Sequence, residues 1–508
     1  MAANAQVDAA REVPGAMLWS LVARVLVTAL AIGSNIMIVR GLGEYAYGVY
    51  SIYLNIAHFL VLLIGIGTGQ AVLRFLPELW IKQDAHGTRA LLRRAMSFHL
   101  ISWLAILALM FPLRGLLSEL QHADLRTILP LGIGLLIGEA IWGLLASVYT
   151  ALRRMAWLAL ASVVQKLALI ALLILFLRRE ADVTAVLWVV AGSFALGILL
   201  LVPGLPRILP RTGGATDVNL GLRRMLNYAL PVAVTGLISQ IIWRSSETLI
   251  IGYYHRPQDV GFYNAAYNLA QMALEFVPLA VWPVILGALS EVHARREELL
   301  ARGVDLYFRL VFVLVLPVAV SGFVFGGQLY RVMYGPGMAP GAMVCQALFL
   351  VLVPGFFATP LRMGLFVRER TRENLWIAGA GAVVNLALDF LLIPRYGMWG
   401  GVVAVGVALA FSAIVQYVYT RRAVPGLAVP WRSLGKVLLA SLVVLPFWFW
   451  RERFDRPLTV LAAFAGAMLL QFLVLRALRA FGNVEQELLL RSNVPFRKLW
   501  ARLLGGPR

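Results

Sequence analysis

Residues 158–177 read LALASVVQKLALIALLILFL, an apolar stretch with one charged residue, Lys166. A membrane-spanning α-helix needs about 20 consecutive apolar residues, because each residue rises 1.5 Å and the hydrocarbon core is about 30 Å thick. This stretch has that length and composition. Similar stretches recur from one end of the chain to the other, so the sequence predicts an all-α integral membrane protein.

The composition of the whole chain supports the same fold class. Of its 508 residues, 61% are hydrophobic and 14% are charged, and the mean hydropathy is +0.81. Soluble proteins average roughly 45–50% apolar and 25% charged residues. The formal net charge of +20 would suit nucleic-acid binding, but the basic residues form short clusters between apolar stretches, a pattern typical of membrane topology signals. We therefore expect no nucleic-acid partner.

Apolar stretches bounded by charges, proline and glycine predict about fourteen spans. The predicted spans are residues 17–39, 47–73, 95–113, 128–152, 157–177, 184–203, 228–253, 262–289, 304–325, 343–367, 375–393, 400–420, 435–450 and 457–478. An even number of spans places both termini on one side of the membrane.

The spans predict two six-helix lobes with additional C-terminal elements. The N-terminal lobe comprises residues 1–204 and the C-terminal lobe residues 228–420, with a cytoplasmic linker at 205–227. Two further helices occupy residues 421–479, and residues 480–508 form a basic cytoplasmic tail.

The basic residues also predict which side of the membrane each loop faces. Most of them, including Arg93, Arg94, Arg153 and Arg154, lie in one set of loops. Positive residues resist translocation during insertion, so that set is expected to be cytoplasmic, together with both termini. The opposite loops are short, and the longest, residues 326–342, has no histidine or carboxylate cluster. We therefore expect no enzymatic activity.

The sequence also predicts an internal duplication. At an offset of 213 residues, Gly48 aligns with Gly261 and Tyr50 with Tyr263, and further matches continue along the same helix, up to Glu78 with Glu291. Six spans per repeat give both halves the same orientation, which is typical of transporters whose site lies between the halves and whose halves rock against each other. The last two helices fall outside the repeat.

Ionisable residues within the predicted spans are the candidate functional residues, because a charge near the bilayer centre costs on the order of 2.5–3.5 kcal/mol. They are Arg24, His58, Glu139, Lys166, Arg244, Glu247, Glu275, Arg362 and Asp389. Arginines facing a central cavity would suit an anionic cargo. The carboxylates Glu275 and Asp389, with Glu139 and Glu247, are candidates for ion coupling or for charge partners.

Each of these residues also has a structural interpretation. Arg244 and Glu247 share a helix face and would neutralise each other. Lys166 would extend its ammonium group to the membrane interface, and Glu139 would bond a neighbouring helix. The sole cysteine, Cys345, excludes an intramolecular disulfide and a cluster of thiolate metal ligands. We expect no metal and no cofactor.

Several motifs together resemble one protein family. They are RGLG at 40–43, YGVY at 47–50, GTG at 67–69, RFLPE at 74–78, DVGFYNAAY at 259–267, and the segment from Asn385 through IPRYG at 393–397 to Gly401. In order and spacing they resemble the Wzx-type polysaccharide flippases of the multidrug/oligosaccharidyl-lipid/polysaccharide exporter superfamily.

The resemblance implies two six-helix lobes arranged in a V, with two extra helices. It implies translocation, by alternating access, of a polyprenyl-pyrophosphate-linked oligosaccharide from the cytoplasmic to the outer leaflet of the bacterial inner membrane. The cargo would be an O-antigen, capsule or exopolysaccharide unit. In the related lipid II flippases, cavity arginines hold the pyrophosphate, and Arg24 and Arg244 match such positions. With Arg362, they are the candidate pyrophosphate ligands.

The expected partners are the lipid-linked glycan and membrane lipid, and a polysaccharide polymerase or another assembly protein is a further candidate. Three other functions stay open at the level of sequence. A drug or metabolite exporter of the same superfamily would favour a more acidic cavity for cationic cargo. A membrane enzyme of envelope synthesis would need larger outer loops. A non-transporting component of a glycan assembly complex would tolerate the loss of the cavity charges.

Overall fold

The computed structural model describes the backbone of residues 2–65, 67–176, 182–210, 230, 246–295, 300–368 and 370–478. Side chains are described for the same residues except 2–24, 276–288 and 290–295. Within these ranges all regular structure is helical and no strand is present. The predicted all-α fold class is confirmed.

The chain divides into two compact units, Met1–Gly261 and Phe262–Arg508. The described helices of the first unit are α1 (Ala2–Gly65), α2 (Thr68–Ile81), α3 (Ala85–Leu120), α4 (Ile128–Ala151), α5 (Met155–Phe176), α6 (Val183–Leu201), a 3₁₀ turn (Val202–Gly204), α7 (Leu205–Ile208), α8 (Ser246–Tyr254) and the start of α9 (Pro257–Arg295).

The second unit contains the remainder of α9 and all later elements. These are α10 (Leu300–Tyr334), a 3₁₀ turn (Pro336–Met338), α11 (Gly341–Val351), α12 (Val353–Val367), α13 (Thr371–Tyr396), α14 (Met398–Ala423), α15 (Trp431–Leu442), a 3₁₀ helix (Leu445–Arg453) and α16 (Pro457–Ala477).

Eleven helical segments among the described residues are long and apolar enough to span a membrane. The protein is therefore a multi-pass membrane protein, whereas the count of fourteen spans stays a prediction. The first segment, Val25–Ile81, has 57 residues, which at 1.5 Å per residue is far longer than one crossing requires. Gly43 breaks it with φ 73° and ψ −179°, values that favour glycine because it has no Cβ. The two predicted spans on either side of residue 43 are thus separated by a glycine turn.

Prolines divide two of the predicted spans. The span predicted at 343–367 consists of α11 and α12, which meet at Leu352, and a proline stands in the first turn of α12. Proline fits there because the first backbone amides of a helix have no intrahelical acceptor. The span predicted at 435–450 begins as α15 and continues, again with a proline in the first turn, as the 3₁₀ helix Leu445–Arg453.

Helix packing in the first unit leaves apolar side chains on its periphery. α1 packs against α4 and α5, and α6 packs against the same two helices. Ile174 and Leu175 at the end of α5 are each 68% exposed. Exposed apolar side chains on helices of this length are expected to contact lipid. Between α4 and α6, Leu145, Tyr149 and Leu201 form a buried cluster.

The predicted lobe boundaries remain predictions. Most of the predicted linker, at 211–227, lies outside the described residues, as does most of the span predicted at 228–253. The predicted tail at 480–508 also lies outside them. The two units meet at residues 261–262, within α9.

Residue pairs related by the predicted duplication have similar surroundings. The Asn55 side chain donates a hydrogen bond to the Ser51 carbonyl at 2.8 Å, and Asn268 donates one to the Asn264 side chain at 3.1 Å, so each reaches four residues back. Tyr50 and its counterpart Tyr263 are both buried and both stack on a neighbouring tyrosine. These matched surroundings support the duplication.

Candidate functional site

Two of the three predicted pyrophosphate ligands lie outside the described side chains. Arg24 belongs to α1, but its side chain is among those not described, and Arg244 lies in the segment 231–245, outside the described residues. Their predicted roles stay predictions. The other predicted residues are described and fall in both units.

Glu139 and Lys166 form a charge pair in the middle of two neighbouring helices. Glu139 lies near the centre of the 24-residue α4 and Lys166 near the centre of the 22-residue α5. The charge of each residue influences the other electrostatically, and both side chains are half-buried. Because each lies several helical turns from either helix end, the pair sits at about mid-membrane depth. The structural interpretation of Lys166 as an interfacial lysine stays a prediction.

Tyrosines of α1 complete the cluster around Glu139. Tyr47, Tyr50 and Tyr53 recur every third residue, so they lie along one face of the helix. Successive ring centroids are 6.4 Å apart in both steps. Tyr50 and Tyr53 both lie near enough to Glu139 for its charge to reach their hydroxyl groups. A side chain larger than hydrogen at Gly132 of α4 would overlap the Tyr53 ring, so the absence of a Cβ there allows α1 and α4 to approach.

A neutral polar contact on α5 accompanies the charge pair. Gln165, adjacent to Lys166, is 3% exposed and donates a hydrogen bond from Nε2 to Oγ of Ser193 on α6 at 2.9 Å. A buried amide needs such a partner, because leaving it without a hydrogen bond costs on the order of 1–3 kcal/mol. The bond ties α5 to α6 one residue before Lys166.

In the second unit, Arg362 is the described candidate for an anion ligand. It lies on α12, is half-buried, and interacts with Tyr307 of α10. Its backbone carbonyl accepts a hydrogen bond from the Asn374 side chain at 3.3 Å. Asn374 in turn accepts one from Gln416 at 2.9 Å. These bonds tie α12 to α13 and α14 at the level of the arginine.

The remaining carboxylates occupy separate places. Asp389 on α13 is fully buried and accepts a hydrogen bond from the Asn385 side chain at 3.1 Å. Glu275 on α9 accepts a hydrogen bond from Gln271 at 2.8 Å. Glu247 at the start of α8 is 2% exposed, and His58 on α1 is half-buried.

The sequence analysis missed the tyrosines that accompany these charges. Tyr50, Tyr53 and Tyr307 are common residue types in apolar segments, and nothing in their spacing alone distinguishes a polar cluster from core packing. The three-residue spacing of Tyr47, Tyr50 and Tyr53 is visible in the sequence, but its relation to Glu139 depends on the packing of α1 against α4.

Comparison with known proteins identifies the family. A family model described as polysaccharide biosynthesis protein matches residues 16–293, more than half of the chain. The chain belongs to this family. A Shigella flexneri protein described as an O-antigen transporter is 23% identical over 422 residues, which cover 80% of this chain and 97% of that protein. A Rhizobium meliloti protein described as a lipid II flippase, MurJ, is 26% identical over 276 residues, covering 50% of this chain and 51% of the relative.

Solved structures show the same fold at lower sequence identity. A lipid II flippase MurJ in an inward closed conformation superposes with a TM-score of 0.72 at 15% identity, covering 90% of this chain and 97% of that one. An inward-facing multidrug resistance MATE family transporter of the MOP superfamily superposes with a TM-score of 0.65 at 16% identity, covering 81% of this chain and 98% of that one.

These findings confirm the resemblance to Wzx-type polysaccharide flippases. The chain is a multi-pass membrane protein of the polysaccharide transporter type, with a fold like that of a lipid II flippase. The relatives are described as transporters and flippases rather than as enzymes, in agreement with the expectation from the short outer loops.

Proposed function

We propose that this protein moves a polyprenyl-pyrophosphate-linked oligosaccharide from the cytoplasmic to the outer leaflet of the bacterial inner membrane by alternating access, with both termini cytoplasmic. The observation that carries the proposal is the Glu139–Lys166 pair at mid-membrane depth in a chain of the polysaccharide biosynthesis family. The similarity to an O-antigen transporter and to lipid II flippases supports the class of cargo.

The charge of the cargo sets the physical requirement. A pyrophosphate cannot cross hydrocarbon without compensation, because an isolated charge at the bilayer centre is costly. The prenyl chain can remain in lipid throughout. A transporter therefore needs a polar path with cationic groups for the pyrophosphate and the sugars. Lys166 and Arg362 are cations within membrane helices whose side chains are described, and Arg24 and Arg244 are further proposed ligands.

The partial exposure of the Glu139–Lys166 pair supports a role in this path. Both side chains keep accessible surface at mid-membrane depth. A charged side chain that faced lipid at that depth would cost on the order of 2.5–3.5 kcal/mol, so we infer that the pair faces a polar cavity. Lys166 would bind the anionic cargo in exchange for Glu139, and Glu139 would then be free to take up a proton or another cation.

The test is a gene deletion in the host with complementation. Lipid-linked oligosaccharides are measured by mass spectrometry, and a membrane-impermeant probe reports the leaflet that they occupy. Deletion is expected to accumulate complete lipid-linked glycan on the cytoplasmic face, and only wild type to restore export. Unchanged pools after deletion would exclude a flippase and favour an exporter of other substrates. Arg24→Ala/Arg244→Ala is expected to abolish rescue, and full rescue would remove both arginines from the mechanism.

The charge pair is tested with Glu139→Gln, Lys166→Met and the double variant. Removing one member of a charge pair within the membrane leaves an uncompensated charge, whereas removing both is often neutral for stability. If the pair only stabilises the fold, the single variants are expected not to restore export in the deletion strain, whereas the double variant is expected to restore it. A pair that handles cargo predicts that the double variant fails as well, at wild-type abundance. The control is Glu119→Gln, which breaks the exposed ion pair with Arg126 at 3.2 Å.

A further inference from the structure

A pocket of about 690 Å³ lies where three connections of the first unit meet. The connections are the turn in α1 around Gly43, the turn between α3 and α4, and the junction of α8 with α9. They contribute Tyr45, His122, and residues 254–259, respectively. The pocket is separate from the Glu139–Lys166 pair, because it forms at helix ends rather than at helix centres.

Hydrogen bonds fix the connection between α3 and α4 at the pocket. The Ser118 hydroxyl donates to the Ala123 carbonyl at 2.6 Å and accepts from the Leu125 amide at 3.2 Å. Gln121 donates from Nε2 to the Leu249 carbonyl of α8 at 3.2 Å. The turn that carries His122 is therefore tied both to itself and to α8, so this wall of the pocket is formed in advance of any ligand.

A close approach of backbones fixes the other two connections. A Cβ at Gly48 of α1 would overlap the Pro257 carbonyl at the start of α9 and would lie 3.1 Å from the Gln258 amide nitrogen. A Cβ at Gly261 would lie 3.1 Å from the Gly48 Cα. These glycines allow the start of α9 to lie directly on α1, so that both connections line one pocket.

The lining combines aromatic rings with hydrogen-bonding groups. Tyr45 and Tyr254 are 47% and 44% exposed, and the Tyr254 ring is braced edge-on by Tyr253 with centroids 4.7 Å apart. Arg256 and Asp259 add a guanidinium and a carboxylate of opposite charge. The described lining thus offers flat apolar faces together with both donors and acceptors, and Arg256 and Asp259 bring no net charge.

We propose that this pocket binds the oligosaccharide part of the lipid-linked cargo at the outer face of the membrane. The proposal rests on the proposed function. Sugar rings present apolar C–H faces that pack on tyrosine and hydroxyl groups that both donate and accept hydrogen bonds, as this lining requires. Its volume lies within the range of roughly 300–1,000 Å³ typical of small-ligand sites. The absence of a net cationic lining disfavours the pyrophosphate, which leaves the glycan as the part recognised.

The side of the membrane follows from the predicted topology. The three connections join spans at the face opposite the loops that carry Arg93, Arg94, Arg153 and Arg154, and positive residues mark the cytoplasmic side. A glycan held there has completed its passage. Binding at this face would disfavour the return of the cargo and would present it to the next step, a reaction that transfers or polymerises the oligosaccharide outside the membrane.

The experiment measures binding to the full-length protein in lipid nanodiscs. The probe is the oligosaccharide released by mild acid from the lipid-linked pool of the host, and isothermal titration calorimetry reports Kd. Wild type is expected to bind the probe, and Tyr45→Ala/Tyr254→Ala to weaken binding at least tenfold with an unchanged Tm. Tyr396→Ala, which removes another exposed tyrosine at 62% exposure, is the control and is expected to bind as wild type.

The outcomes separate this proposal from the proposed function. Absence of binding by wild type at millimolar probe, or equal binding by the double variant, would overturn the pocket proposal, whereas the flippase would stand if deletion still accumulated the lipid-linked glycan. Unchanged pools after deletion would overturn the flippase itself, whatever the pocket binds. If Tyr45→Ala/Tyr254→Ala lost a co-purifying assembly protein but bound the probe like wild type, the pocket would be a protein-docking surface and the proposal would be overturned.

Discussion

The contact between α13 and α14 gives a sharp prediction for the stability of the second unit. The two helices are joined by a single residue, Gly397, at φ 55° and ψ −131°. Immediately after this turn, a Cβ at Gly400 would lie 2.6 Å from the carbonyl carbon and oxygen of Leu392 and 2.7 Å from the Ile393 nitrogen. We expect Gly400→Ala to destabilise the protein because these neighbours are backbone atoms.

The expected magnitude follows from the distances. Ordinary van der Waals contact begins at about 3.4 Å, so the backbones must separate by about 0.8 Å at this point. Side-chain rotation cannot supply that distance, and the one-residue turn leaves little freedom for the helices to move apart. Overpacking of this kind costs about 1–3 kcal/mol, which for a unit of the size of Phe262–Arg508 corresponds to roughly 2–12 °C in Tm. The helix propensity of alanine, worth about 0.5–1 kcal/mol over glycine, offsets part of the cost.

The assay is thermal unfolding in detergent micelles, followed by intrinsic tryptophan fluorescence. The matched control is Gly379→Ala on α13, where a Cβ would meet no other heavy atom within 4 Å. Because only helix propensity changes there, the control is expected to leave Tm unchanged or to raise it slightly. A Tm for Gly400→Ala equal to or above that of Gly379→Ala would refute the reasoning, since the close approach of α14 to α13 would then carry no cost.

Three further predictions concern other contacts. Asp84→Ala removes the carboxylate that accepts a 2.7 Å hydrogen bond from a first-turn amide of α3. It is expected to lower the free energy of unfolding by about 1 kcal/mol, and an unchanged Tm would exclude a capping role. Gln471→Leu deletes the amide that donates to the Ser441 carbonyl at 3.2 Å. We expect the free energy of unfolding to fall by about 1–3 kcal/mol. A more stable variant would show that α16 is held by apolar packing alone. Arg362→Gln is expected to reduce export of lipid-linked glycan at least tenfold in the complementation assay, at wild-type abundance of the protein. The control Arg372→Gln changes an exposed arginine and is expected to export normally. Equal export by both variants would remove Arg362 from the cargo path.

The sequence predicted the helices better than their ends. Lipid offers no hydrogen-bond partners, so every spanning segment must form a helix that satisfies its own backbone N–H and C=O groups. The spans predicted at 128–152 and 157–177 therefore correspond closely to α4 and α5. This requirement carries no information about irregular points, so the 3₁₀ helix Leu445–Arg453 was not predicted.

For the site, the sequence determined which residues are costly in a membrane but not which of them meet. The sequence identifies Glu139 and Lys166 as candidates, because few ionisable residues interrupt its apolar stretches. Their pairing depends on the relative rotation of α4 and α5. Tyr50 and Tyr53 join them only because Gly132 lets α1 approach α4.

The sequence by itself determined that this is a membrane protein, where its helices approximately lie, and which family it resembles. Only the tertiary structure decided that Glu139 and Lys166 are partners, that glycines bring α1 against α9, and that three distant turns form one pocket. The physical reason is that hydrophobicity is a local property of each segment. Contacts between helices depend instead on shape, and shape is set by the packing of residues far apart in the chain.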